Sequence, residues 1–551
     1  MKKQIISIIL IIILLQTTSL SYNASSETIN EENITKNYEI PLDQDFIFEI
    51  TQKLTGIIKQ KDENGNFKYW QGRDFGTPGE REAARILKEE IWDEHIAKDN
   101  SDISNATLDS VEGIDNIKKI GVESQNDYNL KLYCENKIIK PKKSEYFPLH
   151  SIFVKEHNFT NAKICLAPNW AYNLEENTDQ YFLEEKQDSN EFLIYLIELD
   201  KCKKMPIYQI RGDYCFYDVI NFLRLRTRFD AYLLADHINE THFMTPFQSL
   251  VPGISINGRL GNRIREKIEN NKSINADFFI NTKELFVESY NVIGTIDGMV
   301  DEIVMIGAHY DSMWCQGACD DSCSVSIVFS IAKYFADNNI KPYYTLKFAA
   351  WAGEEYPTRQ GSESYVLKNK KNEKYRAYIN FGPTGYKNNN NIQKSEIPLF
   401  LKHTKKITSD IKMDLINKNY SEMSGGYGDL TIKLIDSYIA AVDACSFIGY
   451  SSKGIYSFEK GFYRTVSHFY HRDGQNHTKG DSEDIIDFDD VYATAQLGLL
   501  LVKKYSDESN SVDKNKSSVF FKNYPIFTLF EKFMSFDKLR DFINKFSQVH
   551  N

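Results

Sequence analysis

The stretch from Ile303 to Glu355 most constrains what this chain can fold into. Two apolar runs, Ile303 to Ala308 and Tyr343 to Trp351, have the length and the β-branched and aromatic make-up of buried strands. Between them, Val325, Val328, Ile331, Ala332 and Phe335 recur at a helical period, which predicts a helix over 324–335. Strand, helix and strand at this length form a βαβ unit with parallel strands. His309 and Asp311 lie just past the first strand, Asp320 and Asp321 just before the helix, and Glu354 and Glu355 just past the second strand. Sites in open α/β sheets form outside the carboxyl ends of the strands. An imidazole and several carboxylates gathered there match the donor preference of a divalent cation such as zinc.

The motifs extend beyond this unit. His309-Tyr310-Asp311-Ser312, Gly317-Ala318-Cys319-Asp320 and Gly353-Glu354-Glu355 are followed by Gly361-Ser362 with Tyr365-Val366, by Asp443-Ala444-Cys445-Ser446-Phe447 and by Asn476-His477-Thr478 with Asp481. In that order they resemble the M28 family of zinc aminopeptidases. The resemblance implies an α/β fold with a mixed, mainly parallel central sheet flanked by helices, as in zinc exopeptidases. It also implies roles. Asp320 would bridge two metals, His309 would bind the first, and Glu355 and His477 would complete the second. Asp311 would orient His309 as an outer carboxylate, and Glu354 would act as general base. Asp321 is read as a helix N-cap. For Cys315, Cys319 and Cys323, burial or a disulfide is favoured over metal ligation.

One position departs from the family pattern. Where the family has Ile-Asn-x-Asp, the chain reads Ile379-Asn380-Phe381-Gly382, so Gly382 stands at the position of the first metal's carboxylate. The set Asp320, Glu355 and His477 is intact and leaves an open position for water. The expectation is at least one tight zinc, with the other set a ligand short and Asp443 a candidate to compensate. The resemblance therefore implies an exopeptidase acting on the N-termini of peptides or proteins, and the N-terminal segment over 1–22 implies that it is secreted. Two alternatives stay open: a single-zinc transferase like the glutaminyl cyclases, and a peptidase-like binding protein without catalysis.

The rest of the chain sets the frame. Its 551 residues exceed a single domain. A net charge of −11 argues against a nucleic-acid partner. Residues 1–22 carry two lysines and then the run IISIILIIILL, which reads as a secretory signal, and no later stretch approaches a membrane span. Export permits disulfides among the eight cysteines, with pairing open. Residues 23–43 read as a linker. Phe46 to Gln60 reads as a helix, and Thr77-Pro78-Gly79-Glu80 as a capping box that opens another. Leu130 to Cys134 reads as a strand of the peptidase sheet. Residues 148–287, with strand candidates at 192–199, 206–210 and 231–235 and a helix candidate at 218–228, resemble more loosely the smaller, β-rich α/β protease-associated (PA) domain inserted in many M28 proteins. The peptidase domain then comprises 44–147 and 288–505, with strands expected at 377–381 and 454–458 and a helix at 488–504. A tail, 506–551, carries no motif.

Overall fold

The computed structural model describes residues 26–28, 42–98, 100, 103–111, 118–135, 137–149, 156–172, 191–202, 204–205, scattered positions over 216–230, 231–236, 251–355, 360–369, 371–386, 394–402, 429–435, 443, 450–451, 454–455, 466–469 and 476–506. The calls for a signal segment over 1–22, a strand over 206–210 and a tail over 507–551, and the residues 444–447 of the motif at Asp443, lie outside them. The chain divides into two compact units. One takes in 120–242 and 246–283, and the other 26–119 and 284–551.

The larger unit is built on a nine-stranded sheet. Its strands are β1 (Ser26–Thr28), β2 (Thr107–Ser110), β3 (Tyr290–Ile296), β4 (Val300–His309), β5 (Tyr344–Trp351), β6 (Tyr375–Phe381), β7 (Lys394–Lys402), β8 (Asp429–Ile435) and β9 (Val466–Phe469). They lie in the order β1-β8-β7-β9-β6-β4-β5-β3-β2. The centre is parallel: β4 pairs in parallel with β5 and β6, and β6 with β9. The helices are α1 (Gln44–Gly56), α2 (Pro78–Arg85, continued in a wider π winding over Ile86–Ala97), α3 (Cys323–Asp337), α4 (Gln360–Asn369) and α5 (Phe488–Ser506).

The two-residue period of the strands sorts the core into two layers. Val304, Ile306 and Ala308 of β4, Leu346, Phe348 and Ala350 of β5, and Ile379 and Phe381 of β6 pack with apolar residues of α1, α2, α3 and α5. Met305, Ala349, Trp351 and Tyr378 point the other way, into a smaller cluster with Tyr365 and Val366 of α4. The central strands are thus covered on both faces, which is why Ile303–Ala308 of β4 reads as an unbroken apolar run. Each large aliphatic side chain so buried contributes about 1.5–3 kcal/mol of transfer free energy. The fit is close: a Cβ on Gly294 of β3 would lie 2.2 Å from the Trp92 ring. The α2 start matches the sequence reading, with Thr77 accepting from the Glu80 N–H, but the Glu80 carboxylate reaches back to the Gly76 N–H rather than to Thr77.

Two expectations are corrected. Tyr128–Cys134, which contains the strand read at 130–134, belongs to the smaller unit's sheet, where it pairs antiparallel with Ile274–Asn281. Its burial alternates strictly, as does its partner's. Alternation in sequence identifies a half-buried strand but not the sheet that it joins. The compact unit that holds this strand takes in the chain from Ile120. Within the stretch read as a linker, Ser26–Thr28 pairs antiparallel with β8; three residues are too few for a periodic signal.

The smaller unit holds an eight-stranded mixed sheet that includes Glu156–Leu166, Leu193–Glu198, Ala231–Ala235 and Gly253–Ile256, with a helix at Gly258–Glu269 capped by Asn257. Leu193–Glu198 and Ala231–Ala235 fall where strands were expected.

Candidate metal centre

The polar residues converge where the parallel strands end. His309 is the last residue of β4 and pairs in register with Trp351, the last of β5. Beyond Trp351 the chain turns through Gly353 at φ +64°, a conformation that favours glycine, and presents Glu354 and Glu355 to the same rim. Asp311 ties the two strand ends together. Its Oδ1 accepts from the Glu354 N–H at 3.0 Å and its Oδ2 from the Glu355 N–H at 3.1 Å. Its Oδ1 also lies 3.4 Å from His309 Nδ1, which leaves Nε2 directed at the other carboxylates.

The loop between β4 and α3 is fixed by a buried cation. Arg73 donates to the carbonyls of Tyr310 at 2.7 Å, Gln316 at 2.5 Å, Gly317 at 3.1 Å and Leu54 at 3.0 Å. Asp320 and Asp321 then sit in non-helical backbone before α3. Asp481 holds this segment from the far side, accepting from the N–H of Cys319 at 2.8 Å and of Asp320 at 3.2 Å. Asn476 donates a side-chain N–H to Asp320 Oδ2.

Asp320 stands between the two imidazoles. Its Oδ1 lies 3.1 Å from His309 Nε2, and its Oδ2 lies 3.2 Å from His477 Nε2. His477, held at φ +59°, also meets Glu355 Oε2 at 2.9 Å. Asp320, Glu355 and His477 form one group whose donor atoms all lie within 4.8 Å of one another, and His309, Asp320 and Asp321 form another. Neither group contains a cysteine; Cys315, Cys319 and Cys323 are buried thiols. Glu354 Oε2 lies 3.9 Å from His309 Nε2, and its side chain keeps 13% exposure.

Asp321 corrects the sequence reading. The residue preceding α3 is Ser322, which makes no side-chain cap. Asp321 instead turns its Oδ2 to the His309 N–H at 3.3 Å and to the ring Nε2 at 3.6 Å. Gly382 follows β6 directly, and its carbonyl accepts from the Ser324 hydroxyl.

The electrostatics of this cluster call for a cation. Burial pushes the carboxyl groups of Glu354 and Asp321 well above the usual range, with neighbouring carboxylates adding to the effect. Burial and Asp320 raise Glu355 despite His477, and burial and Asp320 push Asp481 up to about 8. Burial works against a charged His309, but Asp321, Glu354, Asp311 and Asp320 outweigh it and hold its pKa well above the ordinary value. Only Asp320, despite its burial, is held low, by hydrogen bonds to His309 and His477. Glu355 Oε1 and Asp321 Oδ1 are buried oxygens without a hydrogen-bond donor among the described residues. Oxygen and imidazole donors with orphaned buried oxygens fit a borderline divalent ion such as zinc.

All six residues singled out in the sequence for catalysis or metal binding, His309, Asp311, Asp320, Glu354, Glu355 and His477, thus lie in one cluster. Sequence reasoning missed the site role of Asp321, the hold of Asp481 and Asn476 on Asp320, and the clamp by Arg73. The lone arginine of the Gly72-Arg73-Asp74-Phe75 run gives no periodic or spacing signal.

Residues 291–502 match the family model of peptidase family M28. Among solved structures, the chain is similar to a peptidase M28 precursor from Shewanella amazonensis, with TM-score 0.54 and 14% identity over 85% of this chain and 98% of that one. It is also similar to BSAP, a zinc aminopeptidase from Bacillus subtilis, with TM-score 0.53 and 14% identity over 87% of this chain and 98% of that one. No curated protein matches the sequence.

Proposed function

We propose, from the match of residues 291–502 to the family model of peptidase family M28, that the protein is a zinc-dependent aminopeptidase that removes residues from the N-termini of exported or extracellular peptides. The observation that carries this reading is the placement of Asp320, with one carboxylate oxygen against His309 and the other against His477, and with Glu355 completing the second group. Asp320, Glu355 and His477 would hold the zinc, which when bound supplies Lewis acidity and lowers the pKa of water.

The protein's own residues do the rest. Glu354 borders the centre, 3.9 Å from His309 Nε2, and faces partly to solvent. Burial and its acidic neighbours hold its pKa well above the usual carboxylate range. It takes the proton from the attacking water and returns it to the amine that leaves. Asp311 keeps Glu354 and Glu355 apart in function by holding both of their N–H groups, so one carboxylate turns to His477 while the other stays available. The apolar run IISIILIIILL over 5–15, preceded by two lysines, supports export. The smaller unit would be a PA-type domain with a binding role of its own.

The test is Glu354→Gln in the purified mature protein. Hydrolysis of an aminoacyl nitroanilide is expected to drop by about 10²–10⁴-fold, the usual contribution of general base catalysis, while zinc content stays unchanged. Loss of zinc in that variant would instead make Glu354 a ligand. Gly382 favours one second reading, a single-zinc cyclase-like transferase. Cyclisation of a peptide with an N-terminal glutamine, without nitroanilide hydrolysis, would select it.

A further inference from the structure

Gly382 leaves the His309 side of the centre without the carboxylate that the sequence pattern places there, and its carbonyl is engaged by Ser324. The surrounding acids can be assigned one by one. Asp311 spends both oxygens on the N–H groups of Glu354 and Glu355. Asp481 spends both on the N–H groups of Cys319 and Asp320. Glu355 faces His477 at 2.9 Å. Asp320 offers Oδ1 to His309, and its Oδ2 faces His477 and Asn476. Besides Asp320, two carboxylates lie within 4 Å of His309 Nε2 among the described residues. Glu354 is the more distant at 3.9 Å and is partly open to solvent. Asp321 is fully buried, places Oδ2 at 3.6 Å from His309 Nε2, and carries a second oxygen, Oδ1, with no hydrogen-bond donor among the described residues.

We propose that Asp321 replaces the missing carboxylate, so that His309, Asp320 and Asp321 hold a second divalent cation next to the one held by Asp320, Glu355 and His477. The donors are one imidazole and two carboxylates, whose atoms lie within 4.8 Å of one another. This set suits zinc, and also cobalt or manganese. A buried carboxylate with an unmatched oxygen is costly unless a cation or a donor satisfies it, and a second ion supplies that partner. Asp320 then gives one oxygen to each ion. The adjacent residues Asp320 and Asp321 together do what the sequence pattern assigns to two carboxylates far apart in the chain. The proposal rests on the zinc-peptidase reading only for the first ion.

The experiment is a zinc count on the full mature chain, dialysed against buffered free zinc over a range of concentrations and read by elemental analysis. The wild type is expected to take up two ions in sequence. Asp321→Asn keeps the shape of the side chain and is expected to hold one ion, with binding of the second weakened by at least about 100-fold, beyond the range for loss of an outer-shell partner. Retention of the first ion shows that the variant is folded. Two ions of unchanged affinity in Asp321→Asn overturn the assignment, as does a wild type that takes up only one. In either case nitroanilide hydrolysis, if present, leaves the peptidase reading standing. A wild type that binds no zinc overturns both. Anomalous-difference maps from wild-type crystals provide a readout independent of the variant: a second peak within ligand distance of Asp321 is expected, and a second peak bound by Glu354 or Asp443 instead overturns the proposal.

Discussion

The two sides of the centre share Asp320 and differ in almost everything else. On the His477 side, the ligands come from three separate places in the chain, and the contacts are 2.9 and 3.2 Å. Glu355 follows a glycine at positive φ, and His477 itself sits in the left-handed region. A histidine in that region persists where the surroundings over-determine it. On the His309 side, two of the three ligands are neighbours in sequence, and the contacts to the imidazole are looser, at 3.1 and 3.6 Å. On the proposed assignment, the His309 half is built around a position left empty by glycine, because another buried carboxylate, Asp321, already turns to His309. The difference also orders the affinities: the His477 side should fill first.

The most severe way to break this comparison is His477→Ala. It removes a ligand from the tighter half, so zinc binding there and peptide hydrolysis should fall together by more than about 10³-fold, since even outer-shell losses cost about 10–100-fold. Uptake at His309, Asp320 and Asp321 should survive, and elemental analysis would then give one ion, weakly held. Asp311→Asn should blur the comparison instead. Asp311 orients His309 and also holds the N–H groups of Glu354 and Glu355, so both ions should weaken by about 10–100-fold. Titration with cobalt, followed by its visible absorption, separates the two steps. Weakening confined to one step would show that Asp311 serves only one half.

The same contrast explains what could be read from the sequence. The fold of the larger unit was legible because β4, β5 and α3 are mainly apolar runs of the right length, and burial on both faces keeps Ile303–Ala308 and Phe348–Trp351 free of polar side chains except the Trp351 indole N–H. The His477 side was legible because each ligand lies in a short motif at the end of an element. Asp321 was not, because Asp before a helix has a common local role as a cap, and only tertiary structure shows its carboxylate turned to His309. Arg73 and Asp481 act on backbone groups of loops more than 150 residues away, and nothing in a linear pattern records such contacts. Leu130 to Cys134 was assigned to the wrong sheet for a related reason: periodicity describes one strand, and sheet membership is a property of its partners.

Acidity offers a milder test. In chelated protein the fold holds protons on Asp321, Glu354, Glu355 and Asp481 at pH values where the unfolded chain has lost them, and it keeps His309 charged above its ordinary pKa. The unfolded state therefore binds fewer protons, and stability must fall as pH rises from about 4.5 towards 8. Asp320, held low, adds a constant amount over this window. The melting temperature in EDTA should be lower at pH 8 than at pH 5.5, and the rise on adding zinc should be larger at pH 8, because the ions displace those protons. Asp321→Asn removes one of the proton-holding groups from the His309 side and should flatten the slope. An unchanged slope would mean that Asp321 is not part of the titrating cluster.

The smallest effect should come from a change that touches neither half. Asp43 caps α1, its Oδ1 accepting from the Phe46 N–H at 3.0 Å. Replacing such a cap by alanine costs about 1 kcal/mol, which for a unit of this size lowers the melting temperature by about 2–4 °C. Helix α1 packs its buried face, Phe46, Ile47, Ile50 and Leu54, into the main core, so Asp43→Ala should shift stability while the zinc count and both affinities stay at their wild-type values. A loss of the His309-side ion in this variant, with the His477-side ion retained, would mean that the looser half depends on global stability rather than on its own ligands, and the distinction drawn between the two halves would then lie in the frame and not in the donors.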